Sequence, residues 1–354
     1  MLPYYSLFIL AIFFAWFIKP KQGKWLLFFL MLFMSMFRGM NVGGDDTIAY
    51  YQNGFSHEFS LESSVSYDLE FLFVWWTNFI RKFGLNPRWC LYSLSIIQFL
   101  FLYLSSKRFM VSLEKMLFFF LLLNYYYLSL EISRQLAANF ILLYGYSFLM
   151  EEGNKKYWFF PIVLLASSIH LSSILALPIF FCTFFKIDSL HGKEPIYYAL
   201  LVVSFVFMQF QGAKMTDLLL SRLDIFSLYQ HLGKETVTVN SSLTGYFVLL
   251  LKLLIHFYVY TKIVKSDNKL IANILLFSIV FSVFLSPVGG NIGRLKIIPG
   301  LIEIVAYSKY LKLQYIPDNT KYAFVALITL FWGVVCLWEI KAGNYFLNPY
   351  YMTL

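Results

Sequence analysis

The chain alternates long apolar runs with short polar connections, and the runs have the length of membrane crossings. Covering roughly 30 Å of hydrocarbon takes about 17 to 25 apolar residues. Runs that approach or reach that length fall at 2–18, 25–37, 89–106, 115–131, 133–150, 157–185, 195–211, 244–263, 269–287, 293–309 and 321–339. No internal repeat, low-complexity tract or long linker interrupts them. The pattern predicts an all-α, polytopic integral membrane protein with about 11–13 transmembrane or re-entrant helices. The whole chain, 1–354, reads as a single helical membrane domain.

Composition sharpens that picture. Of 354 residues, 60% are hydrophobic, 21% are aromatic and 13% are charged. A water-soluble domain carries roughly 25% charged residues to coat its surface, so this chain has too few for that role. The net charge of +9 does not point to nucleic acid, because the cations lie in short patches between apolar runs. Cys90, Cys182 and Cys336 lie far apart inside apolar stretches, and no metal-ligand spacing accompanies them, so neither a disulfide framework nor a zinc site is expected. Leu2 to Ile18 has no basic residue before it and ends at Lys19-Pro20-Lys21, so it reads as a first spanning helix rather than a cleaved signal.

Lysine and arginine are enriched in cytoplasmic connections, and this rule orients the chain. The basic connections are Lys19/Lys21/Lys24, Lys107/Arg108/Lys115, Lys155/Lys156, Lys186/Lys193, Lys262/Lys265/Lys269 and Lys309/Lys312/Lys321. Placing all of them inside requires that segment 69–84 does not cross. It also requires that 157–185 crosses twice or forms a broken pair, turning near His170 to Ser173. The N-terminus is then outside. Two outward-facing loops follow, one over 38–68 and one over 212–243. The first holds Asp45, Asp46, Glu58, Glu62 and Asp68, so chemistry is expected on the outer face.

Charges at the ends of membrane helices are costly and tend to serve function or pair with one another. Arg38, Arg134, His170 and Arg294 gather on the outer side of this topology. The planar guanidinium fork binds two oxygens at once and stays charged, which suits a diphosphate. The plainer reading is that each arginine pairs with a local carboxylate or a lipid headgroup. His170 lies among serines in Ser167-Ser168-Ile169-His170-Leu171-Ser172-Ser173, where a merely hydrogen-bonded histidine is the common case. The Gly43-Gly44-Asp45-Asp46 turn brings backbone and carboxylates to a loop, although glycine doublets are often only turns. Tyr50, Tyr51, Tyr67, Trp75 and Trp76 would stack on sugar rings or form the aromatic belt of a membrane protein.

Four places along the chain resemble the EpsG/Wzy-like family of polysaccharide polymerases. They are Arg38-Gly39 with Gly43-Gly44-Asp45-Asp46-Thr47, Tyr50-Tyr51 and Phe55; Tyr67-Asp68-Leu69-Glu70-Phe71; Ile132-Ser133-Arg134-Gln135-Leu136-Ala137; and Lys155-Lys156-Tyr157 followed by Ala166 to Ser173. Asp46 fits the spacing to Tyr50 better than Asp45. The second place lacks the family's proline and glycine, with Glu70 near the glycine position. Motifs cover the first half of the chain, and hydropathy alone covers the second.

The resemblance implies that undecaprenyl-diphosphate-linked oligosaccharide repeats are joined at the outer face of a bacterial plasma membrane. On that scheme Arg38, Arg134 and Arg294, with Gln135, bind the diphosphate. Asp46 or Asp45, or failing them His170, accepts a proton. Tyr50 and Tyr67 line the sugar site, and Glu70 is a further substrate-binding residue. No metal or cofactor is required, and the implied partners are the lipid-linked substrate, membrane lipids and a chain-length regulator protein. The competing readings are a glycan ligase, a flippase or transporter of a lipid-linked sugar, and a membrane O-acyltransferase.

Overall fold

The computed structural model describes residues 2–16, 20–38, 70–86, 88–184, 193–222, 243–266, 268–286 and 294–341. Asp45, Asp46, Tyr50 and Tyr67 lie outside the described residues, as do 39–68 of the first expected loop and 223–242 of the second. The described residues are predominantly helical and contain no β-strand. Cα packing divides the chain into two compact units, Met1–Leu177 with Tyr307–Leu354, and Pro178–Ala306.

The first unit opens with α1 (Leu2–Trp16), α2 (Pro20–Met36), α3 (Phe71–Lys82) and α4 (Trp89–Arg108). It continues through α5 (Leu113–Leu122), α6 (Tyr125–Glu131), α7 (Ser133–Tyr146) and α8 (Phe159–Ser167). Its last helix, α14 (Asp318–Lys341), returns after the second unit. Aromatic rings stitch the interior: Phe28 of α2 meets Phe99 of α4, Phe99 meets Phe120 of α5, and Phe120 meets Phe140 of α7, all edge to face at 5.1–6.0 Å. Edge-to-face contact sets the positive ring edge against a negative ring face, so these pairs add specificity to apolar burial.

Helix breaks matter here more than helices. The apolar run 115–131 is interrupted at Asn124, whose φ of 65° lies in the left-handed region that asparagine tolerates. Ile132 serves as both the end of α6 and the start of α7, with φ −104° and ψ 56°. The run 157–185 is also broken: α8 ends at Ser167, and a 3-10 helix over Leu171–Thr183 follows a turn at 168–170. A broken pair there was one of the two forms the topology required.

Helix α3 is short. Its 12 residues span about 18 Å at 1.5 Å per residue, too little to cross the hydrocarbon alone. Phe73, Val74, Thr77 and Ile80 form its buried stripe. Phe73 and Ile80 pack with Cys90, Leu94 and Ala137, and Trp76 Nε1 donates to Ser93 Oγ at 2.8 Å. Trp76 is thus engaged in packing, whereas Trp75 is exposed and stacks on Phe79 at 5.8 Å. Gly84 ends the helix in a left-handed conformation at φ 61°, which glycine adopts at no steric cost.

The second unit contains α9 (Glu194–Arg222), α10 (Leu243–Ile263) and α11 (Lys269–Phe284). A stepped run follows: a 3-10 turn Arg294–Lys296, α12 (Ile297–Gly300) and α13 (Ile302–Tyr310), the last of which passes into the first unit. Helix α9 continues to Arg222, past the end of the apolar run at 211.

Among the described residues two helices, Trp89–Arg108 and Gly245–Ile263, are long and apolar enough to cross a membrane by themselves, and shorter apolar helices accompany them. The exposed side chains decide the solvent. Leu200, Val203, Phe207 and Phe210 of α9, and Leu327, Leu330 and Val334 of α14, are all more than half exposed. Apolar faces of that extent are stable against lipid and not against water. The protein is an all-α integral membrane protein.

Candidate functional site

The site is assembled at helix ends in the first unit. Phe37 still bonds back to Phe33, and Arg38 follows as α2 runs out. Its side chain turns inward and is 2% exposed. Nη1 donates to Ser35 O at 2.9 Å, and Nη2 donates to Ser133 Oγ at 2.6 Å. Ser133 Oγ in turn donates to Ser129 O at 2.9 Å, and Gln98 Nε2 donates to Ser133 O at 2.9 Å. The Ser35 and Ser95 hydroxyls share a further bond at 2.8 Å. Arg38 therefore joins the end of α2 to the α6–α7 junction, immediately before Arg134.

Arg134 stands in the first turn of α7, where the Ile132 break turns its side chain toward α3. Its Nη1 lies 2.8 Å from Glu70 Oε2, and its guanidinium carbon lies 5.0 Å from the Phe73 ring centre. Side-chain exposures of 12% for Arg134 and 11% for Glu70 leave the pair partly open. Gln135 is buried beside it in the same turn.

Glu70 is the residue before α3, and both of its oxygens are engaged. Oε2 faces Arg134, and Oε1 accepts the Leu171 N–H at 2.6 Å. Leu72 N–H also donates to Ser168 O at 3.0 Å. The start of α3 thus clasps both sides of the turn between α8 and the following 3-10 helix. His170 sits in that turn, half-buried, with Nδ1 2.7 Å from Ser172 Oγ.

The structure joins four of the expected residues, Arg38, Arg134, Glu70 and His170, through one set of contacts within the first unit. Arg294 belongs to the second unit, half-buried in its 3-10 turn. Sequence reading missed the supporting Ser35, Ser95 and Gln98, although a lone glutamine in the apolar run 89–106 was a visible signal. It also missed a buried pair in the second unit, His256 Nε2 and Glu303 Oε2 at 3.3 Å. A lone histidine in the run 244–263 was the signal there.

Two guanidinium groups stand on adjacent helix ends, Arg38 buried and hydrogen-bonded and Arg134 partly open, a chemistry suited to meeting an anion. Each fork presents several N–H donors in one plane, and apolar surroundings strengthen any charge it meets.

A helical membrane protein with paired arginines at its helix breaks is the class these features define. Residues 24–352 match the EpsG family, and the chain belongs to that family of Wzy-like polysaccharide polymerases. No curated protein and no solved structure matches the chain.

Proposed function

We propose that the protein, as a multi-pass protein of the bacterial plasma membrane, joins undecaprenyl-diphosphate-linked oligosaccharide repeats into a surface polysaccharide at the outer face. The observation that carries this reading is the partly open Arg134 guanidinium, held by Glu70 and backed by the buried Arg38, in a chain of the EpsG family. A hydroxyl of the incoming repeat attacks the anomeric carbon at the reducing end of the growing chain. The new C–O bond forms as the bond to the phosphate oxygen breaks, and the electron pair leaves on undecaprenyl diphosphate. Charge grows on the diphosphate in the transition state, and Arg134 and Arg38 stabilise it. Asp46 or Asp45, or failing them His170, takes the hydroxyl proton. Tyr50 and Tyr67 line the sugar site. A chain-length regulator protein would act as partner, and the product would be O-antigen, capsule or exopolysaccharide.

The test is a gel of surface polysaccharide from a strain lacking the gene, complemented with wild type or Arg134→Ala. Single repeats in the deletion strain, with a ladder of lengths restored by wild type and not by the variant, support the reading. A ladder that survives deletion, or lipid-linked repeats that never reach the outer face, overturns it in favour of a transporter or modifying enzyme.

A further inference from the structure

We propose that Glu70 is a positioning residue: it sets the Arg134 guanidinium and the His170 turn in register with each other, rather than binding the sugar. The proposal rests on the polymerase reading above. Glu70 lies at the start of α3, far in sequence from both of its partners, yet its two carboxylate oxygens are divided between them. Oε2 takes Arg134 Nη1 at 2.8 Å, and Oε1 takes Leu171 N–H at 2.6 Å. The second bond satisfies a backbone donor at the start of the 3-10 helix Leu171–Thr183, where amide groups have no partner within the helix. The Leu72–Ser168 backbone bond at 3.0 Å closes the other side of the same turn.

An ion pair at one oxygen and a hydrogen bond at the other hold the carboxylate between its partners, and the carboxylate in turn restrains the two groups it touches. Arg134 has a long, flexible stem, and an unheld guanidinium would sample several rotamers. Glu70 restricts it on one edge while Phe73 packs near its face at 5.0 Å. His170 follows a separate route to the same end: the residues on either side of it, Ser168 and Leu171, are the ones held from α3.

This role carries a kinetic signature opposite in sign to substrate contact. Removing the negative charge beside Arg134 strengthens the local positive field, so anion binding does not weaken, whereas orientation is lost and turnover falls. The experiment uses the full chain in lipid discs with a synthetic lipid-diphosphate-linked repeat, comparing wild type, Glu70→Gln and Glu70→Ala. The expected result is a kcat lowered at least tenfold in Glu70→Gln with KM unchanged or lower, and a larger loss in Glu70→Ala. A raised KM with kcat preserved would make Glu70 a sugar contact and overturn the proposal, and so would wild-type values for both constants.

A second measurement needs no catalysis. Leu72→Cys with Ser168→Cys, in a chain whose three native cysteines are replaced by serine, places two thiols across the clasp. Disulfides need Cα separations of about 4.4–6.8 Å. With Glu70 or Glu70→Gln, whose amide oxygen still accepts from Leu171, oxidation should proceed readily. With Glu70→Ala it should slow several-fold, and equal rates in all three would overturn the clasp. A wild type that makes no polymer while the cross-linking rates differ as expected would sink the polymerase reading and leave the clasp standing.

Discussion

The Arg134–Glu70 pair of the first unit and the His256–Glu303 pair of the second each bring a basic and an acidic side chain together among apolar helices. Their backbone settings differ. Arg134 and Glu70 stand at helix ends, 2.8 Å apart and about a tenth exposed, and Glu70 also holds a backbone N–H. His256 lies well inside α10 and Glu303 in the first turn of α13, 3.3 Å apart and only 1% and 4% exposed. Ser278 Oγ of α11 donates to Glu303 Oε1 at 3.4 Å, so three helices meet at that carboxylate. A pair at a helix break keeps donors within reach of a ligand. A pair sealed among helices has its polarity consumed by the fold, and its value is in fixing which helices pack together.

The comparison is broken most forcefully at the sealed pair. Leaving one buried polar partner unsatisfied costs about 1–3 kcal/mol, whereas replacing both with apolar residues of similar shape is close to neutral. His256→Leu or Glu303→Leu alone should sharply lower the thermal unfolding midpoint in detergent, and the double variant should recover most of the loss. Exposure of the buried Cys90 and Cys182 to a thiol-reactive dye follows the unfolding. Polymer yield per folded molecule should hardly change in the double variant. A folded double variant that makes no polymer would show that the second unit carries chemistry as well as packing.

At the open pair the larger effect should fall on rate. Arg134→Ala should lower polymerisation by about 10²–10³-fold, the scale for removing one donor to a developing anion. Arg134→Lys keeps the charge and loses the fork, so it should recover only part of the rate; full recovery would reduce the site to a point charge. Ser133→Ala is expected to be milder, because it deletes one acceptor from the buried Arg38. A hydrogen bond to a charged group contributes about 1.5–3 kcal/mol, which should appear as a lowered unfolding midpoint. The smallest effect lies away from both pairs. Met110 closes α4 at φ 52°, a conformation that costs a non-glycine residue roughly 1–2 kcal/mol, so Met110→Gly should raise the unfolding midpoint by a few degrees.

Much of this was legible along the chain. The apolar runs located most of the helices, because lipid and interior both select apolar side chains and the polar connections stand out between them, although α9 continues to Arg222 past its run. The placement of the basic connections required that segment 69–84 does not cross, and α3 there is a helix of only 12 residues. The motif around Glu131 to Gln135 was read as a place where one helix meets the next, and Ile132 is that junction. Breaks inside apolar runs were harder to see. Asn124 interrupts 115–131 without a proline or glycine, through a left-handed φ that asparagine tolerates and that leaves no mark in the apolar pattern.

The sequence by itself determined the solvent, the helical class and the residue types able to meet an anion. Those follow from composition and local period, which need no partner from elsewhere in the chain. Only the tertiary structure decided what each charge does. Glu70 reaches Arg134 and Leu171, 64 and 101 positions further along, and Arg38 reaches Ser133, 95 positions on. No local pattern specifies such pairings, because they depend on where helices break and which ends the packing brings together. For the same reason nothing local to Glu70 announces that one carboxylate oxygen faces Arg134 and the other accepts the Leu171 N–H.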